Sequence, residues 1–138
     1  MTMRNGMLAA AAGVGIVLIG AQPLGAQQVP PTQAKDQTVK TIASFDLASE
    51  IPELTGRYLR ARLRTIEPGG HGALHSHRGA PAILYVVSGT LTICTPDGKC
   101  TDIAEGQGIP EGKDAIHWAT NKGRGQVTYF VVEISKEP

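Results

Sequence analysis

The chain lacks an excess of either charge. Lys and Arg number 13 against 12 Asp and Glu, a formal net charge of +1, and no basic block occurs anywhere. Nucleic-acid binding rests on neutralising phosphates with Lys and Arg, so no nucleic-acid partner is expected. Cysteine is scarce too, with only Cys94 and Cys100 present. Beyond the N-terminal region no segment carries the apolar spacing of an amphipathic helix, which argues against a helical domain. The only long apolar run is at the N-terminus. Histidine numbers only four, yet three of these, His71, His75 and His77, are gathered in one short stretch, with His117 forty residues beyond His77.

The N-terminal run reads as an address. Arg4 precedes an apolar segment from Met7 to about Ala21, and Gln22-Pro23-Leu24-Gly25-Ala26-Gln27 follows. A positive n-region, an apolar h-region and a small residue at the cut predict a secretory signal peptide over residues 1–26. The segment is Gly- and Ala-rich and falls short of the roughly 20 apolar residues that a membrane span needs. No cysteine follows Gly25-Ala26, so a lipid-modified signal is not supported. The mature protein is therefore expected to be exported, secreted or periplasmic, with no stable membrane anchoring after cleavage. About 112 residues then remain, enough for one compact core.

Residues 27–40 carry Gln, Pro, Thr and Lys with little to bury and predict a flexible leader. A single domain is expected over 41–138. Thr41 to Phe45 suits a first strand. From Arg57 the alternation is clear, with Leu59, Ala61 and Leu63 on one face and Arg60, Arg62 and Arg64 on the other. The arginine face is expected to be a solvated outer surface; the sharper alternative is an arginine that reaches an anionic substrate or a neighbouring subunit. Pro68-Gly69-Gly70 is expected to break this strand. Short strands then follow at Ile83–Val87, Gly89–Cys94, Thr101–Ala104, Ala115–Thr120 and Gln126–Ile134, separated by Gly- and Pro-rich turns. Many short strands at close spacing predict an all-β sandwich or small barrel. Cys94 and Cys100 bracket Thr95-Pro96-Asp97-Gly98-Lys99, in which Pro-Asp-Gly suits a three-residue hairpin loop. That register sets the two cysteines opposite each other, and in an oxidising compartment predicts a disulfide.

In a strand, His75 and His77 point to one face. Two imidazoles on one face and a third from a later strand can hold a divalent metal. Gly69, His75, His77 and Gly89 fall on the spacing of the first motif of the cupin superfamily, and His117 and Asn121 on the end of its second. Pro110 and Gly112 fit the middle of that second motif only with two extra residues before His117. Over residues 41–136 the chain resembles the cupins, small jelly-roll barrels built as a double-stranded β-helix. One departure matters. Ala82 stands where the first motif carries its glutamate ligand, so the resemblance implies a three-histidine set of His75, His77 and His117 rather than three His and one Glu.

Such a set suits Zn, Fe(II), Ni or Cu(II), and export favours Zn or Cu. His71 matches no ligand position, with a fourth ligand or a base behind the ligands as the alternative reading. Glu111 reads either as a solvated loop charge or as a general base over the barrel mouth. Ala82, Leu84 and Val86 are expected to line a small apolar pocket, with Tyr85 and Trp118 on the opposite face. The reading that follows is a metal-holding barrel for a small oxygen-containing metabolite, dioxygenase-like with Fe(II) or hydrolase- or isomerase-like with Zn. The alternatives are a binding module without turnover and a barrel whose histidines only bond one another. Related small cupins often dimerise, so the resemblance also implies a homodimer.

Overall fold

A computed structural model describes residues 29–138; the signal-peptide expectation lies outside these. Nine strands carry the fold: β1 (Lys35–Asp46), β2 (Tyr58–His71), β3 (His75–Ser76), β4 (Ala82–Ser88), β5 (Thr90–Cys94), β6 (Cys100–Ala104), β7 (Gly108–Glu111), β8 (Ile116–Thr120) and β9 (Val127–Ser135). They form one sheet in the order β6-β5-β8-β2-β9-β4-β7, with β1 paired to β2 and β3 to β8. The sheet curls on itself into a nearly closed, all-β jelly-roll barrel. Two single-turn helices, Leu47–Ser49 and Pro52–Leu54, bridge β1 and β2. Asp46 opens the first by accepting a hydrogen bond from the Ala48 N–H at 3.0 Å. No helix among the described residues is long and apolar enough to cross a membrane.

The strand positions follow the sequence closely from β4 onward, and differ before it in two places. Residues 35–40, expected to be a flexible leader, are the first half of β1, zipped antiparallel along β2 from Gln37 opposite Ile66 to Asp46 opposite Tyr58. Their polar composition hid them because β1 pairs along the sheet edge with most of its side chains exposed. Nor does Pro68-Gly69-Gly70 end the strand. Gly69 takes a φ of +77°, and a Cβ on Gly70 would come within 2.9 Å of the Lys35 and Asp36 carbonyl oxygens. The glycines let β2 bend and run on beneath β1.

The larger correction concerns the arginines. Antiparallel partners share a face, and β2 pairs with β9 as Arg60 to Glu133, Arg62 to Val131, Arg64 to Tyr129 and Ile66 to Val127. Glu133, Val131, Tyr129, Val127 and Ile66 are all buried. The arginine face therefore points into the barrel, and Leu59, Ala61 and Leu63 point outward. Alternation defines two faces without saying which one is covered.

Inside, the barrel is divided along its axis. One end is a dry core of Ile66, Val86, Leu91, Ile103 and Val127. The other end holds the polar residues described below. Asn121, fully buried at the end of β8, donates through Nδ2 to the Ile66 and Gly125 carbonyls at 2.9 and 2.8 Å. It fastens the β8–β9 turn to β2. The hairpin between β5 and β6 closes with a Cys94–Cys100 disulfide at the expected register. On the outside, β2, β9 and β4 present Leu59, Ala61, Leu63, Phe130, Val132, Ile134, Ile83 and Tyr85, a continuous face without a charged residue. Ile83 and Tyr85 are 62% and 47% exposed there.

Candidate metal centre

β3 and β8 bring the histidines together. His75 sits opposite His117 in an antiparallel pair, and His77 follows two residues on, so the three side chains share one face, with His77 and His117 buried and His75 at the exposed rim. The Nε2 atoms of His75 and His77 lie 3.1 Å apart, and those of His77 and His117 3.0 Å. On the far side of the rings, His75 Nδ1 lies 3.0 Å from the Ala73 carbonyl and His77 Nδ1 3.2 Å from that of Ala80. A carbonyl only accepts, so each Nδ1 carries the proton and each Nε2 keeps its lone pair. Two lone pairs facing each other at hydrogen-bond distance repel. A cation between them removes the repulsion, which is why these residues fit a metal better than a mutual hydrogen-bond network. The three offered nitrogens all lie within 4.8 Å of one another.

The electrostatics agree. Burial lowers the pKa of His75 and His77, and drives that of His117 down to about 3, helped by the two neighbouring imidazoles. The rings are thus neutral near pH 7, as metal ligands must be.

Glu111 closes the cluster. It is the last residue of β7, only 4% exposed, with its carboxylate oxygens 3.3 Å from His77 Nε2 and 3.3 Å from His117 Nε2. One oxygen, Oε1, is buried without a hydrogen-bond partner. Desolvation raises its pKa to about 7, against the pull of nearby Arg64. The solvated loop charge is not what the fold makes of this residue. Glu111 pairs directly across from Ala82, so a carboxylate faces the histidines from the strand beside the vacant glutamate position.

The surrounding cavity is lined by Arg62, Arg64, Leu84, Ala119, Tyr129, Val131 and Glu133 in addition to the three histidines and Glu111. It encloses about 40 Å³ of free space. A single water needs at least about 10–15 Å³ by the same measure, so the cavity admits a few water-sized groups. Of the expected lining, Leu84 faces the cavity, Val86 lies in the dry core, and Ala82 borders a shallow outer groove with Pro81 and Ile83. Apolar walls remain, but charged groups stand among them, because the arginines turn inward.

A family model for the Cupin domain, Cupin_2, matches residues 62–133, more than half of the chain. The chain belongs to the Cupin_2 family. No curated protein matches it. Among solved structures, this cupin resembles the polyketide cyclase RemF from Streptomyces resistomycificus, with 19% identity, coverage of 79% of this chain and 72% of that one, and a TM-score of 0.60. A double-stranded β-helix protein from Klebsiella pneumoniae is 16% identical, with 79% and 84% covered and a TM-score of 0.60. The Cupin_2 domain of an XRE family transcriptional regulator from Enterobacter cloacae is 18% identical, with 72% and 96% covered and a TM-score of 0.54. At such identities the likeness shows the fold alone.

Three further residues of this cupin lie apart from the site. His71 ends β2 opposite Thr120, and its Nδ1 lies 3.2 Å from the adjacent Gly72 carbonyl. Trp118 has the parity opposite to His117 yet is only 1% exposed, whereas Tyr85 is on the open outer face. The residues that strand alternation misassigned are Arg60, Arg62 and Arg64, and Glu133 went unremarked. Two signals pointed to them: Ile66 shares the arginine parity, and Glu133 interrupts an otherwise apolar strand.

Proposed function

We propose that this cupin holds one divalent transition metal through His75, His77, His117 and Glu111, and admits a small oxygen-containing metabolite to it. The observation that carries this is the convergence of the His75 and His77 lone-pair nitrogens and of His117 Nε2 beside a buried carboxylate oxygen with no other partner. Glu111 takes over from β7 the role that a glutamate at position 82 fills in the family pattern. When bound, a metal supplies Lewis acidity or, as Fe(II), oxygen chemistry. The chain's own contributions are orientation and exclusion. The Ala73 and Ala80 carbonyls fix the tautomers of His75 and His77. Leu84, Ala119 and Val131 keep the inner wall dry.

Two classes of activity fit this centre, dioxygenase-like with Fe(II) and hydrolase- or isomerase-like with Zn. A binding module without turnover is the second reading. It is favoured by one observation: Glu111 is engaged with the imidazoles, and among the described residues no other carboxylate stands beside them as a free base. Oxygen-electrode and hydrolysis assays on the loaded protein separate these classes. The Cys94–Cys100 disulfide supports export into an oxidising compartment. We propose further that a second copy of the chain covers the uncharged outer face, since a symmetric pair buries the same apolar patch on both partners.

Metal analysis tests the centre. The purified protein is expected to carry about one equivalent of a transition metal. His117→Ala is expected to weaken binding by more than about 100-fold, and Glu111→Gln by roughly 10- to 100-fold, because loss of a ligand costs at least as much as loss of its supporting partners. His71→Ala should leave it unchanged. A folded, metal-free protein with no metal-induced rise in melting temperature overturns the proposal.

A further inference from the structure

Beneath the metal centre the cavity wall carries two guanidinium groups, Arg62 and Arg64, and two carboxylates, Glu111 and Glu133, and these are not matched pair for pair. Arg60, Arg62 and Arg64 all turn inward from β2. Glu133 serves the first two: Arg60 Nε donates to its Oε1 at 3.0 Å, and Arg62 Nη2 pairs with the same oxygen. Arg60 also lies 4.0 Å from Glu137 at the surface. Arg64 makes no ion pair among the described residues, and its Nε, like that of Arg62, is buried without a hydrogen-bond partner. Arg64 is itself half-buried and lines the cavity, so its guanidinium is open to a ligand there. The other carboxylate on the cavity wall, Glu111, already faces His77 and His117.

Tyr129 stands next to Arg64. It is 2% exposed and pairs with Arg64 across β9 and β2. Its hydroxyl oxygen accepts a hydrogen bond from Gln37 Nε2 at 2.9 Å. Arg64 is a second hydrogen-bond neighbour of this hydroxyl, and a hydroxyl that accepts from both still keeps its own proton to donate.

We propose that Arg64, with the Tyr129 hydroxyl beside it and Arg62 behind, is an anchor for the carboxylate of the molecule that this site takes. The guanidinium fork matches two carboxylate oxygens at once, and a neighbouring O–H adds a third donor. The free space of about 40 Å³ limits the ligand to a short chain. The chemical class is a small carboxylate with a second oxygen, hydroxy, oxo or carboxylate, that points to the histidines. This inference rests on the metal reading for that second oxygen and on the arginines alone for the first.

The test uses Co(II)-loaded protein titrated with glycolate, oxalate and the neutral analogue glycolamide, read by the visible Co(II) spectrum. The same titrations on chelator-treated, metal-free protein are read by melting temperature. Glycolate and oxalate are expected to bind the loaded protein roughly 10- to 100-fold more tightly than glycolamide, the range expected for charge-assisted hydrogen bonds. Arg64→Met is expected to erase that preference at unchanged Co(II) stoichiometry, and Arg64→Lys to keep only part of it. Equal binding of glycolate and glycolamide by the wild type overturns the proposal, as does undiminished glycolate affinity in a folded Arg64→Met protein. Should Arg64→Met fail to fold, Arg64→Lys and the wild-type ratio decide. If the wild type takes up no Co(II), the metal reading has failed by itself. A melting temperature raised by glycolate but not by glycolamide then still upholds the arginine anchor, and its absence overturns it.

Discussion

The two ends of the barrel interior are built from the same strands and differ in almost every property. Along β2 the inward residues run Arg60, Arg62, Arg64, then Ile66; along β9 they run Glu133, Val131, Tyr129, then Val127. At the charged end, imidazoles, carboxylates and guanidinium groups lie within a few ångströms of one another and several of their polar atoms lack partners. At the dry end, Ile66, Val86, Leu91 and Ile103 pack against each other with nothing polar to satisfy. The contrast shows a division of labour. Burying charge destabilises unless each group is paired, so the apolar end must supply the stability that the site lacks.

Breaking the dry end should therefore have the largest effect. Leu91→Ala removes a fully buried side chain and is expected to cost roughly 2–5 kcal/mol of stability, measured by urea denaturation. The metal content of the remaining folded protein should not change. An equal loss of metal affinity would mean that the two ends are not separable.

At the charged end the handle is pH. In the folded, metal-free protein Glu111 keeps its proton up to about pH 7, whereas an unfolded glutamate releases it near 4.5. The folded state then binds more protons across that window, so this residue's contribution to stability declines as pH rises through it. The difference in unfolding free energy between wild type and Glu111→Gln should change by at most about 3 kcal/mol between pH 4.5 and 7. His117 acts with the opposite sign. Its pKa is held near 3 instead of 6.5, so the stability it contributes is lost as pH falls through that interval. Comparing the two proteins cancels the histidines. Loading with metal should abolish the Glu111 effect, because a bound carboxylate has no proton to keep. A pH-independent difference in the metal-free proteins would argue against a desolvated Glu111.

The smallest effect on the monomer belongs to the outer face. Ile83→Lys alters a 62% exposed residue and should shift stability by no more than about 0.5 kcal/mol. The same change should convert a dimer to a monomer in light scattering. A wild-type monomer would remove the proposal of a second copy.

The histidines were legible because their spacing carries their geometry. His75 and His77 alternate to one side of any strand, and His117 sits at a family position. The disulfide was legible for a similar reason, since the loop between Cys94 and Cys100 sets the register locally. Glu111 was visible as a candidate but not as part of the cluster. Its approach to the imidazoles depends on β7 pairing with β4, and no local pattern states that pairing. The arginines were read on the wrong side because the outward face of β2 is apolar, as an inner face would be.

The chain alone thus determined the strand content, the disulfide and the set of three histidines, all of which rest on spacing within a few residues or on one family pattern. Tertiary structure alone decided that the arginines face inward, that β1 begins at Lys35, and that Glu111 stands opposite Ala82 beside the histidines. Alternation along a strand has two solutions of equal local merit. Only pairing with β9, whose inner face carries Glu133 and Tyr129, selects between them.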